Sequence, residues 1–266
     1  MDNERLVIRI GNRSLTFASL SGEGALDASD IRLMHYSLNS GISMAANLRE
    51  AMRQTDMGKD GCKRCYLMVD TPRLLVPIEM FCEAEKEELY SHSFPKMRND
   101  YVEQNVVADI NAVVLFSLNK DIKTVVADRI PDTRVVCAMA PVWKHLYQRS
   151  FTGSRNKLFA YFHEGIMDLA SFGHNKARFA NSFKIAGSND AAYFILYAWK
   201  QLQMDQHQDE IHLVGDFDDK DSVVETLKRY VRRAYVINPV SDFNRSPIAQ
   251  IEGMPYDVMV YLIKGR

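Results

Sequence analysis

The chain has 266 residues, 47% of them hydrophobic and 25% charged, with 33 Lys and Arg against 34 Asp and Glu. This composition excludes a disordered chain, a collagen-like fibre and a disulfide-stapled miniprotein. The net charge of −1 supplies no bulk attraction to nucleic acid or to an anionic membrane.

In chain order, residues 5–10 are β-branched and weakly alternating, which predicts a strand. Gly11-Asn12 predicts a tight turn, and residues 14–20 a second strand. Gly22-Glu23-Gly24 breaks it, and residues 31–38 form a third strand. From Gly41 the spacing of Ile42, Ala45, Ala46, Leu48 and Met52 predicts a helix that ends at residues 58–61. Residues 66–69 form a short, continuously apolar strand. The middle of the chain predicts a strand over 74–81, then an acidic helix from Glu83 to about His92, closed by Pro95. A strand over 112–118, a helix over 121–128, a strand over 134–138 and a helix over 142–150 come next.

The second half repeats the first. Strands are expected at 157–162, 166–172 and 177–183, with turns at Glu164-Gly165 and Gly173-His174-Asn175. Ser188-Asn189-Asp190 caps a helix to about Met204. A buried strand over 211–214, a helix over 222–232 and a last strand over 234–237 complete the order. Both halves thus read strand, turn, strand, turn, strand, helix, strand. This predicts a duplicated α/β lobe, with three antiparallel strands followed by parallel strands reached through helices. The expected division is a first lobe over 1–150, with an inserted α/β subdomain at about 71–150, and a second lobe over 151–266.

That layout resembles the actin-like ATPase (ribonuclease H-like) fold, each lobe a mixed five-stranded sheet with helices. Residues 8–14, Ile-Arg-Ile-Gly-Asn-Arg-Ser, resemble the superfamily's first phosphate loop. Residues 162–166 sit where its second phosphate loop belongs, and residues 211–216 resemble its adenosine-contacting strand and turn. The middle resembles the insert of PilM/GspL-type assembly proteins. Taken whole, the chain resembles a Bacteroidetes domain-of-unknown-function family with a degenerate actin-like ATPase fold.

The resemblance implies a vestigial nucleotide cleft at Arg9, Gly11, Asn12, Arg13, Ser14, His163, Gly165, Gly215 and Asp216. The superfamily carries an Asp on its first strand where this chain has Arg9, and a guanidinium repels a cation rather than ligating one. Tyr161, Phe162 and His163 precede a single glycine in the second loop, and bulky side chains there would crowd phosphates. Only Gly215 remains of the two glycines of the adenosine turn, and Asp216 comes directly after it. The expectation is that ATP hydrolysis is lost, and ATP binding with it, leaving no cofactor, no catalytic residue and no metal ligand. The alternatives are an anion held without metal by Arg9, Asn12 and Arg13, or ATP in the cleft of a weak ATPase.

Other clusters are weighed against plainer readings. Cys62 and Cys65 form half of a zinc or redox motif with no second half, so they read as a loop leading into a buried strand. Cys82 and Cys137 read as small buried hydrophobes, and the cysteines together suit a reducing cytoplasm. Residues 1–10 lack the features of a signal peptide, and no stretch approaches the roughly 18 apolar residues of a membrane span. Asp216, Asp218, Asp219 and Asp221 lack the glycine and closing Glu of a calcium loop and suit a helix start. Lys228, Arg229, Arg232 and Arg233 suit a helix end better than an RNA-binding face. The function expected is that of a non-catalytic scaffold meeting an unidentified protein partner, with the insert as the contact face and a homodimer through its edge strands as one form.

Overall fold

The computed structural model describes residues 5–21, 30–58, 62–95, 99–217 and 219–265. The turn expected at Gly22-Glu23-Gly24, Gly61 at the end of the first helix, and Asp218 lie outside them.

The first sheet starts with β1 (Arg5–Ile10) and β2 (Ser14–Leu20), antiparallel and closed by the Gly11 N–H on the Ser14 carbonyl at 3.0 Å. β3 (Ile31–Ser37) extends it beyond β2. α1 (Met44–Gln54) opens where the Ser43 hydroxyl accepts the Ala46 N–H, and it buries Ala45, Leu48, Ala51 and Met52 against the sheet. It ends four residues before Gly58. β4 (Arg64–Val69) lies parallel to β1.

The insert comes next. β5 (Arg73–Pro77) is shorter than the strand predicted over 74–81, because Pro77 has no N–H for a ladder and the chain coils into a 3₁₀ turn at Ile78–Met80. α2 (Lys86–Ser93), β6 (Asp100–Val107) and β7 (Ala112–Asn119) complete a three-stranded antiparallel sheet in the order β5-β7-β6. It has its own small core of Val76, Tyr90, Val102, Val113 and Leu115. α3 (Lys120–Ala127) leads to β8 (Asp132–Cys137), parallel to β4, and then α4 (Met139–Ser150).

The second sheet repeats the first. β9 (Lys157–His163), β10 (Ile166–Gly173) and β11 (Lys176–Lys184) are antiparallel. α5 (Ser188–Gln201) begins where the Asp190 carboxylate reaches back to the Ala186 N–H at 3.0 Å. β12 (Glu210–Gly215), α6 (Lys220–Lys228) and β13 (Ala234–Val236) complete the lobe. The two strand orders, β3-β2-β1-β4-β8 and β11-β10-β9-β12-β13, are the same path traced twice. The duplicated lobe read from the pattern is therefore the architecture, with mixed sheets in both lobes.

Like β6, two further elements had no counterpart among the predicted ones, the short α7 (Pro239–Asp242) and α8 (Tyr256–Lys264). α8 packs on α4, and Tyr256, Val258 and Val260 join the core of the first lobe. That core also takes Phe159, Tyr161, Ala170 and Phe172 from the second sheet, so apolar packing runs across the lobes. A second core gathers around Leu158, Phe162, Ile195 and Leu213. Cys137 is buried as expected, but Cys82, read as a buried hydrophobe, is exposed, because β5 ends at Pro77 and the chain has left the sheet before it. Cys65 is buried inside β4, while Cys62 is half-buried before it and its thiol meets the Arg64 carbonyl at 3.3 Å. Among the described residues no helix is long and apolar enough to cross a membrane.

Candidate functional site

The first hairpin, between β1 and β2, faces the second hairpin, between β9 and β10. Glu164 sits at the tip of the second in a left-handed conformation, φ 45°. Its carboxylate enters the first hairpin. It accepts the Asn12 N–H at 2.5 Å, the Arg13 N–H at 3.3 Å and the Ser14 hydroxyl at 2.6 Å. The Arg9 guanidinium lies 3.4 Å from the same group. Successive backbone N–H groups at a tight turn form an anion cradle, and here the anion is a side chain of the other lobe. Gly11 makes the approach possible, since a Cβ there would collide with both the Arg9 guanidinium and the Glu164 carboxylate.

Behind the hairpins lies a buried ionic network. Arg9 is 2% exposed, and its side chain pairs with Asp257 on α8 at 2.6 Å and with Asp70 at the end of β4 at 3.0 Å. His163, at the end of β9, bridges Asp70 through Nδ1 at 3.0 Å and Asp168 through Nε2 at 2.6 Å. Arg73, which opens β5, donates to Asp70 at 3.0 Å and to Asp168, and the Ser182 hydroxyl also donates to Asp168. Three cations thus face four carboxylates drawn from both lobes, the insert and α8.

The network shifts its own members. Burial alone would lower the His163 imidazole, but Asp70 and Asp168 outweigh it and lift its pKa to about 9. Burial pushes the Asp70 and Asp168 carboxyls up, and the cations beside them more than reverse it: His163, Arg73 and Arg9 at Asp70, Arg73 and His163 at Asp168. Burial likewise opposes the charge on Arg9, and Asp257 and Asp70 restore it with a wide margin. At neutral pH Arg9, His163, Asp70 and Asp168 are therefore ionised, which is the condition on which charges survive burial.

A cleft of about 470 Å³ remains between the lobes. Arg9, Ser14, His163, Gly215 and Asp216 border it, whereas Gly11, Arg13 and Gly165 lie where the hairpins interlock and Asn12 opens onto a different groove. Gly215 has φ 101°, and a Cβ there would strike the Phe162 carbonyl, so β12 can approach β9 only with glycine at that point. Tyr161 stacks on His163 at 4.7 Å and walls the cleft, while Phe162 stacks on Phe217 at 3.8 Å. Asp219 precedes α6 and Asp221 lies in its first turn, as the plainer reading of the acids expects. Arg229 pairs with Glu225 on the surface at 3.3 Å, and the Arg233 guanidinium donates to the Gln208 carbonyl.

Sequence reasoning missed Asp70, Arg73, Glu164, Asp168 and Asp257 as site residues. Two had a signal. Asp70 comes directly after a strand buried in a parallel run, where α/β sites gather, and Asp168 interrupts an apolar strand at an inward position.

The family model described as "Protein of unknown function (DUF3822)" matches residues 1–234. The chain belongs to this family. A structure from Bacteroides thetaiotaomicron, described as a protein with actin-like ATPase fold and unknown function, is 25% identical over 94% of this chain and 96% of that one, with a TM-score of 0.81. A structure of the PilM-PilN type IV pilus biogenesis complex is 13% identical over 97% of both chains, with a TM-score of 0.56. The ethanolamine utilization protein EutJ from Carboxydothermus hydrogenoformans is 9% identical over 97% of this chain and 89% of that one, at 0.50. No curated protein sequence matches the chain. This DUF3822 chain therefore has an actin-like ATPase fold.

Proposed function

We propose that the chain is a non-catalytic actin-fold scaffold that works by protein–protein contact, with ATP hydrolysis lost. The observation that carries this reading is the Glu164 carboxylate seated among the donors of the first hairpin. A phosphate would need the same N–H groups, and it would meet a carboxylate already in place. Arg9 stands where the superfamily's first strand places its aspartate, and its charge is neutralised by Asp257, Asp70 and Glu164 rather than left for a ligand. The residues of this cleft therefore do not suit a magnesium–triphosphate group. The PilM-PilN structure, a complex, supports a protein partner for a chain of this fold.

Titration with ATP and Mg²⁺, followed by thermal unfolding, tests the reading. The expected result is an unchanged Tm, because a ligand that binds only the native state raises it. A saturable rise, with phosphate release above the no-enzyme rate, would overturn the scaffold reading in favour of a nucleotide-binding protein. The cleft of about 470 Å³ favours that second reading for a ligand without phosphates, and adenosine is the control that separates the two.

A further inference from the structure

A second groove, of about 550 Å³, lies on the other side of the ionic network from the cleft. Its apolar wall joins three parts of the molecule: Leu75 and Phe94 of the insert, Trp143 of α4, and Ile166 and Phe183 of the second sheet. Two buried donors on its lining, Arg73 Nε and Trp143 Nε1, have no hydrogen-bond partner among the described residues. A buried donor left without an acceptor destabilises the molecule. The two side chains are neighbours, the Arg73 guanidinium lying 6.0 Å from the centre of the Trp143 ring.

β11 forms one rim of this groove and, among the described residues, is an outer strand paired with β10 alone. The Ile185 N–H donates to the Gly165 carbonyl at 3.0 Å. In this antiparallel register Phe183 and Asn181 therefore turn their backbone groups to β10, and Lys184, Ser182 and Ala180 turn theirs to the open side. The Ser182 N–H donates to the neighbouring Asn181 side-chain oxygen at 2.9 Å. The strand carries Lys176, Arg178 and Lys184, all exposed, and no acid. None of the three lies within ion-pairing distance of a carboxylate among the described residues. Natural proteins blunt an open edge with charges of one sign, and that same row of charges selects what can pair there.

We propose that this groove docks an extended acidic segment of a partner protein, which joins the second sheet as a strand beside β11. Alternate side chains of the segment enter the apolar groove, its backbone pairs with Ala180, Ser182 and Lys184, and its acids meet the three basic residues. This deepens the scaffold reading and rests on it for the partner being a protein.

The test uses the full chain with Trp199→Phe, so that emission reports Trp143 alone, and a capped nine-residue peptide of alternating glutamate and valine. Saturable binding with a shift in Trp143 emission is expected. Proline is tolerated on an open edge but removes an outward N–H, so Ala180→Pro should weaken binding about tenfold or more. Lys184→Glu, exposed and harmless to folding, should weaken it about tenfold through charge reversal. A peptide N-methylated at alternate amides should not bind. Absence of saturation at millimolar peptide, or equal binding of a lysine–valine peptide, would overturn the proposal. So would a dimer in sedimentation equilibrium that Ala180→Pro abolishes, because the occupant would then be a second copy. A chain indifferent to both ATP and peptide loses this docking site and keeps the scaffold reading; an ATP-induced rise in Tm with peptide binding does the reverse.

Discussion

His163 sets the pH response of the join between the lobes: of the two cations that bridge Asp70 and Asp168 among the described residues, Arg73 keeps its charge throughout, whereas the imidazolium loses its charge in mildly alkaline solution. Its folded pKa of about 9 lies above the ordinary 6.5. The stability it adds is therefore complete below about pH 6.5 and is lost as pH rises through about 9, a difference of about 3 kcal/mol at most. Asp70 and Asp168, held below the ordinary carboxylate range, add stability that is lost as the solution becomes strongly acidic. Urea midpoints taken from about pH 6 to about pH 10 should fall on the alkaline side, and His163→Gln should flatten that fall while leaving the acid limb. An unchanged alkaline limb in the variant would show that another group governs it. Arg9 was legible as a departure from the resemblance, but its partners were not. Asp70 is 61 residues away and Asp257 is 248 away, and no local pattern ties residues so distant.

Among the elements, the duplicated strands were plain because alternation and turn glycines mark them. β6 escaped notice because its residues are mostly polar and only Val102 and Val107 are buried. α8 escaped for the opposite reason: five consecutive residues from Tyr256 to Val260 are buried, so no helical stripe stands out from the run. The hairpin of Glu164 was legible as a turn, whereas its insertion into the first hairpin depends on how the lobes face each other. That insertion gives an element-scale prediction. Glycine tolerates the left-handed conformation at this position, so Glu164→Gly should fold and leave the N–H groups of Asn12 and Arg13 open beside Arg9. Inorganic phosphate should then raise the Tm of the variant by a few degrees and leave the parent chain unmoved. Equal responses in the two proteins would mean that the carboxylate is not what closes the cradle.

At the scale of the whole molecule, the family match ends at residue 234, yet the fold depends on residues beyond that point. Tyr256, Val258 and Val260 fill the first core, and Asp257 holds the guanidinium of β1. A chain of residues 1–238 should therefore show no cooperative urea transition where the full chain shows a single one, since an unpaired buried charge alone costs about 3–5 kcal/mol. A sharp transition in the shortened chain would count against this dependence. Synthesis runs from the amino end, so Asp257 follows its partner Arg9 by 248 positions. The first strand can therefore be made long before the carboxylate that pairs with its buried guanidinium, and until then Asp70 and Glu164 are the acids available to it.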